Sequence, residues 1–82
     1  MCRVEWQPSA LDELAAICIE YPDRWSDIDA AENDVDYKLR KNPVHFSEPV
    51  AEGLRRILSN PLAIYFSIAG NSVTVEAVGW LD

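Results

Sequence analysis

Leu54-Arg55-Arg56-Ile57-Leu58 stands between two turn signals, Gly53 before it and Asn60-Pro61 after it. A short apolar and basic run bounded in this way predicts a strand. Neighbouring side chains of a strand point to opposite faces, so Leu54, Arg56 and Leu58 share one face while Arg55 and Ile57 share the other. Only one of the two arginines can therefore serve a given surface.

Downstream, Leu62 to Ala69 alternates Leu62, Ile64, Phe66 and Ile68 with Ala63, Tyr65 and Ser67, a strong strand pattern. Gly70-Asn71 predicts a tight hairpin in which glycine supplies a positive φ, and Ser72 to Trp80 returns as the last strand. Upstream, Val44 to Gly53 contains Pro49, follows Pro43 and has no clean period. It reads as a loop whose length points to a functional role. Before it, Asp23 opens a long helix in which Trp25, Ile28, Ala31, Val35 and Leu39 recur at three- and four-residue steps. Asp27, Asp29, Glu32, Asp34 and Asp36 fall on its solvent face, and Lys38, Arg40 and Lys41 gather at the negative dipole end before Asn42-Pro43. A first helix is expected from the capping pair Ser9 and Asp12, with Leu11, Leu14, Cys18 and Tyr21 on its apolar face and Ile17 beside them, ending at Tyr21-Pro22. Cys2 to Gln7 alternates as strand one. The order β-α-α-β-β-β predicts an α+β fold: a mainly antiparallel four-stranded sheet packed by an N-terminal helical hairpin.

Eighty-two residues make one domain, 1–82, since a chain this short supports a single core. Cys2 and Cys18 have no second cysteine or histidine at metal-ligand spacing and are expected as buried thiols. No metal or cofactor motif is present: there are no paired histidines, no CxxC and no glycine-rich phosphate loop. With no apolar leader-like run and no stretch near the roughly 20 residues that span a bilayer, a cytoplasmic location is expected and no membrane partner. The net charge of −7 argues against a surface that grips phosphates throughout. Residues 1–37 carry ten acids and two bases, whereas residues 38–82 carry four acids and five bases, so an anion-binding surface belongs to the second part.

The helical hairpin between strand one and a C-terminal three-stranded meander resembles the RelE/ParE superfamily of toxin–antitoxin toxins. Val4-Glu5-Trp6-Gln7-Pro8-Ser9-Ala10-Leu11-Asp12-Glu13-Leu14 looks like that family's first strand running into its first helix. Asn42-Pro43 matches the proline that often follows its second helix. Leu54-Arg55-Arg56-Ile57, Ile64-Tyr65-Phe66 and Val73-Thr74-Val75 are similar to its Leu-Arg strand, its tyrosine-containing strand and its valine-rich last strand.

The resemblance implies a bacterial, plasmid-stabilisation-like toxin with a cognate antitoxin as partner. Such a toxin acts on translation as an mRNA interferase, through ribosome-dependent cleavage of mRNA, or on a topoisomerase such as DNA gyrase; a homodimer is compatible with it. In the ribonuclease branch a 2′-OH must be activated, the phosphate charge neutralised and the leaving oxygen protonated. Arg56 matches the phosphate-contacting arginine, and His45 and Glu48 are the candidate proton carriers. Arg55, Lys38, Arg40, Lys41 and Trp80 are candidate nucleic-acid contacts, Trp80 by stacking on a base. The bland alternatives are an arginine stem packed over the core edge, an exposed loop histidine, solvated carboxylates and a tryptophan that plugs the core or an interface. Enzymatic members carry a further Arg, His or Tyr on or just after the last strand, where this chain reads Ala77-Val78-Gly79-Trp80-Leu81-Asp82. That departure leaves endoribonuclease activity undecided and motivates the alternative of a disarmed toxin-fold protein acting as a non-enzymatic binding or regulatory partner.

Overall fold

The alternating run in the C-terminal half builds the centre of the sheet. A computed structural model describes residues 1–81. Its elements are β1 (Arg3–Trp6), α1 (Pro8–Glu20), a 3-10 turn (Pro22–Arg24), α2 (Trp25–Lys41), β2 (Glu48–Ala51), β3 (Leu54–Ser59), β4 (Leu62–Ala69) and β5 (Ser72–Trp80). The sheet order is β1-β5-β4-β3-β2, with β1 parallel to β5 and the other pairs antiparallel. Gly70 takes φ 60° in the β4–β5 turn, as the Gly-Asn pair predicts.

Both helices cover one sheet face. Ile57, Leu62, Ile64, Phe66, Val73, Val75 and Val78 meet Ala10, Ile28, Ala31, Val35 and Leu39 in a single core. Among the described residues, no helix lies over the other sheet face. Between Tyr65 and Phe66 the β4–β5 register shifts, leaving Glu76 as the extra residue of β5. This bulge turns Val78 inward after Val73 and Val75, and Glu13 of α1 secures it by accepting the Val78 N–H at 2.9 Å.

Several expectations are corrected. The sheet has five strands rather than four, because the expected loop contains β2. All four residues of β2 are exposed, so no buried face imposes an alternation. Pro49, which lacks an N–H, is tolerated because β2 is an edge strand. Gly53, at φ 75°, closes the β2–β3 turn. Helix α1 begins at Pro8 with Gln7 as N-cap and no side-chain cap, so Ser9 and Asp12 do not form the capping pair. Proline at the first helical position gives up an N–H that would lack a helical partner anyway. The second helix starts at Trp25 rather than Asp23, after the 3-10 turn. Leu11 and Trp25 are exposed, with Ala10 facing the sheet instead. Cys2 and Cys18 are half-buried rather than buried. Glu32, Asp34 and Asp36 are half-buried as well. Among the described residues, no helix is long and apolar enough to cross a membrane.

Candidate functional site

Strand register decides which polar side chains meet on the uncovered face. Glu48 of β2 pairs with Arg56 of β3, and Arg56 pairs with Tyr65 of β4. These three form a row across the sheet. The Nε of Arg56 donates to Glu48 Oε1 at 3.1 Å, and its Nη2 donates to the same oxygen. Glu48 first, and Tyr65 after it, hold the guanidinium even more firmly protonated than usual, so its charge is permanent. One strand further, Ser67 donates to Glu76 at 2.6 Å; alternation from the inward Val73 and Val75 puts Thr74 and Glu76 on this same face.

Beside the row lies a cleft of about 330 Å³ lined by His45, Phe46, Ser47, Glu48, Arg56 and Leu58. Its outer wall is the segment after α2, which is held in place from beneath by Arg55. On the helix-facing side of β3, Arg55 donates from Nε to Ser47 Oγ at 2.8 Å and from Nη2 to the carbonyls of Ser47 (3.1 Å) and Val44 (3.3 Å). Ser47 Oγ in turn donates to the Pro43 carbonyl. Asn42 Oδ1 accepts the His45 N–H at 3.2 Å, and the His45 ring meets Phe46 edge-on at 4.9 Å. Arg55 thereby positions His45 and Phe46 at the cleft, and its fork is spent on the loop. Arg55, expected among the nucleic-acid contacts, thus turns its fork toward the loop rather than toward the uncovered face.

The remaining candidates are scattered. Lys38 reaches the back of the cleft wall, with Nζ 5.6 Å above the Phe46 ring and 2.9 Å from Asp34. The bond from Lys38, with a second from Ser59, holds the Asp34 carboxyl below its ordinary range against an opposing effect of burial. Arg40 pairs with Asp36 at 2.9 Å and borders a separate depression with Cys2, Arg3 and Ser72. Lys41 lies over the Tyr37 ring at 5.8 Å. Neither joins the cleft. Trp80 stacks on Tyr21, 4.0 Å between ring centres and 8° between planes, with the Arg24 guanidinium 5.3 Å from its ring centre. It packs against the core on the helix-facing side, away from the cleft.

Tyr65, Ser67 and Glu76 were missed as site residues by sequence reasoning. Tyr65 and Ser67 occupy the polar positions of an alternating strand, and Glu76 the polar position after Val73 and Val75 in the next, which was the available signal. Among the described residues, no cluster of three or more His, Cys, Asp or Glu is placed to hold a metal ion.

No protein-family model and no curated protein matches the sequence at a significant level. Solved structures do match in shape. A chain of the chromosomal ParDE toxin–antitoxin system from P. aeruginosa superposes with a TM-score of 0.79 at 15% identity, covering 100% of this chain and 98% of that one. The RelBE2 toxin–antitoxin complex from Mycobacterium tuberculosis gives 0.63 at 14% identity over 96% of each chain. A copper-bound mutant toxin from Helicobacter pylori gives 0.64 at 13% identity, covering 98% of this chain and 94% of that one.

Proposed function

With the RelE/ParE toxin fold as premise, we propose that this chain is the toxin of a toxin–antitoxin pair and that its uncovered sheet face cuts RNA on the ribosome without a metal. The observation that carries this reading is the convergence of His45, Glu48 and Arg56 on one cleft, from the α2–β2 segment, β2 and β3. Tyr65 adjoins Arg56. Glu48, held beside the phosphate site by Arg56, takes the proton of a ribose 2′-OH. The freed oxygen attacks the adjacent phosphorus while the 5′-oxygen leaves, giving a 2′,3′-cyclic phosphate. His45 gives a proton to the leaving oxygen, and Arg56 balances the charge that builds on the phosphoryl oxygens. The cognate antitoxin is the protein partner of this reading.

A second reading is favoured by the Glu48–Arg56 pair itself, since an arginine already satisfied by a carboxylate suits a binding face as well as a phosphate site. There the toxin arrests growth by occupying a protein target such as a topoisomerase. Induced expression of wild type beside Glu48→Gln and Arg56→Ala separates the two. Ribosome-bound mRNA is expected to be cut by wild type, and cleavage to fall by about 100-fold or more with Glu48→Gln. Growth arrest with intact mRNA in every strain overturns the nuclease reading in favour of target occupancy. Harmless wild type overturns both and leaves a disarmed toxin fold.

A further inference from the structure

Arg3 and Ser72 are direct neighbours across the parallel β1–β5 pair. Val4 and Val73, the next residue of each strand, pack toward the helices, so Arg3 and Ser72 point to the uncovered face. Gly70, at φ 60°, lets the β4–β5 hairpin turn in two residues and sets Asn71 beside them, its carbonyl accepting the Arg3 N–H at 2.8 Å. From the other side comes the last turn of α2, pinned to the start of β1 by the Cys2 N–H on the Arg40 carbonyl at 2.9 Å. Arg3, Arg40, Asn71 and Ser72 thus line one depression of about 520 Å³, within the roughly 300–1,000 Å³ that small-molecule sites occupy. It lies at the β1 end of the sheet, three strand spacings or about 14 Å from the cleft over β2 and β3.

The depression is rich in donors. Among the described residues, the side chains of Arg3, Asn71 and Ser72 have no hydrogen-bond partner. Arg40 gives Asp36 its Nε alone, which leaves both terminal nitrogens open. No carboxylate lines the depression, although acids outnumber bases by 14 to 7 in the chain. The α2 carbonyls that would repel an anion are covered: those of Lys38 and Arg40 accept the Asn42 and Cys2 N–H groups. Two guanidiniums facing one depression repel each other, and an anion between them turns that cost into attraction.

We propose that this depression binds a phosphomonoester, its phosphate seated between Arg3 and Arg40, with the Ser72 hydroxyl and the Asn71 carboxamide N–H completing the set. Two guanidiniums match a phosphate of nearly two negative charges, and their forked donors match its three terminal oxygens. A phosphodiester or a carboxylate offers one charge and two such oxygens, and fits less well. The ligand is therefore a small phosphorylated metabolite or a 5′-phosphorylated RNA end, not an RNA backbone. This site stands apart from the cleavage chemistry of the cleft and does not depend on it.

The probe is 5′-AMP, titrated into the isotope-labelled full chain at low salt and followed by amide NMR shifts and calorimetry. Adenosine, a 5′-hydroxyl RNA trinucleotide and the same trinucleotide bearing a 5′-phosphate are run beside it. Shifts are expected at Cys2, Arg3, Asn71 and Ser72, with AMP binding at least ten-fold more tightly than adenosine or the 5′-hydroxyl trinucleotide. Arg3→Gln, which alters an exposed side chain, is expected to weaken AMP at least ten-fold; circular dichroism verifies its fold. If the phosphorylated trinucleotide binds as AMP does, an RNA end is a source of the phosphate; if it is excluded, the source is the small metabolite. The proposal is overturned if AMP binds no better than adenosine, if Arg3→Gln binds AMP like wild type, or if the 5′-hydroxyl trinucleotide binds as tightly as AMP. Shifts confined to residues 45–48 and Arg56 overturn it as well.

Discussion

Glu32 sits half-buried on α2, three residues after Asp29 and four before Asp36. Burial first, and these two carboxylates second, push its carboxyl above the ordinary range. The folded state thus holds the Glu32 proton more tightly than the unfolded chain does. Ionised Glu32 costs stability at neutral pH, and the cost vanishes once the pH falls below the unfolded-state pKa. Glu32→Gln should therefore raise the melting temperature at pH 7, with the gain disappearing below about pH 4. An equal gain at both pH values would contradict this account. Asp34, two residues on, has the opposite sign. Lys38 holds its carboxyl low, so its contribution is present above the ordinary carboxylate range and is lost as the pH falls through the depressed folded-state pKa. Because the pair is partly exposed, Asp34→Asn should cost only about 0.5 kcal/mol at pH 7, measured by urea unfolding, and nothing in acid.

Among the elements, the segment between α2 and β2 buries only Pro43 among the described residues, and Arg55 ties it to the sheet. Three hydrogen bonds from Arg55 reach Ser47 and Val44 there. Arg55→Ala should cost about 1–2 kcal/mol. It should speed amide exchange across residues 43–48 while the β4 amides remain as protected as global stability allows. Lysine should restore little, because one ammonium cannot replace a planar fork that serves three acceptors. Unchanged exchange in that segment would remove Arg55 from its positioning role. Edge strand β2 depends on the same anchorage, and Pro49 on it also blunts strand pairing with other chains.

Charge separation characterises the whole molecule. Acids dominate residues 1–37, which form β1, α1 and most of α2, whereas β3 carries two adjacent arginines. Asp27 pairs with Arg24, Asp34 with Lys38 and Asp36 with Arg40, while residues 1–37 hold ten acids against two bases, an excess that repels itself. Going from about 10 mM to about 150 mM salt shortens the screening length from roughly 30 to roughly 8 Å. The melting temperature should rise over that range, since relief of self-repulsion outweighs the weakening of the partly exposed ion pairs. A fall would mean that the ion pairs dominate.

Local patterns carried most of the architecture. The alternation of Leu62, Ile64, Phe66 and Ile68, the Gly70-Asn71 turn and the spacing of Ile28, Ala31, Val35 and Leu39 are signals contained in a few consecutive residues, and the elements form where those signals lie. With the Leu54–Leu58 segment they also made the toxin-fold likeness legible. Periodicity, however, does not say which arc of a helix the sheet will choose, and at α1 Ala10 faces inward while Leu11 does not. β2 escaped notice because, exposed along its length, it needs no apolar pattern. The division of labour between Arg55 and Arg56 followed from strand geometry alone, but their partners did not. Glu48 meets Arg56, Arg56 meets Tyr65, and Glu76 reaches Ser67 only through inter-strand register. Register is set by the packing of distant segments, so the sequence determined the elements and the tertiary structure alone decided which polar side chains share a surface.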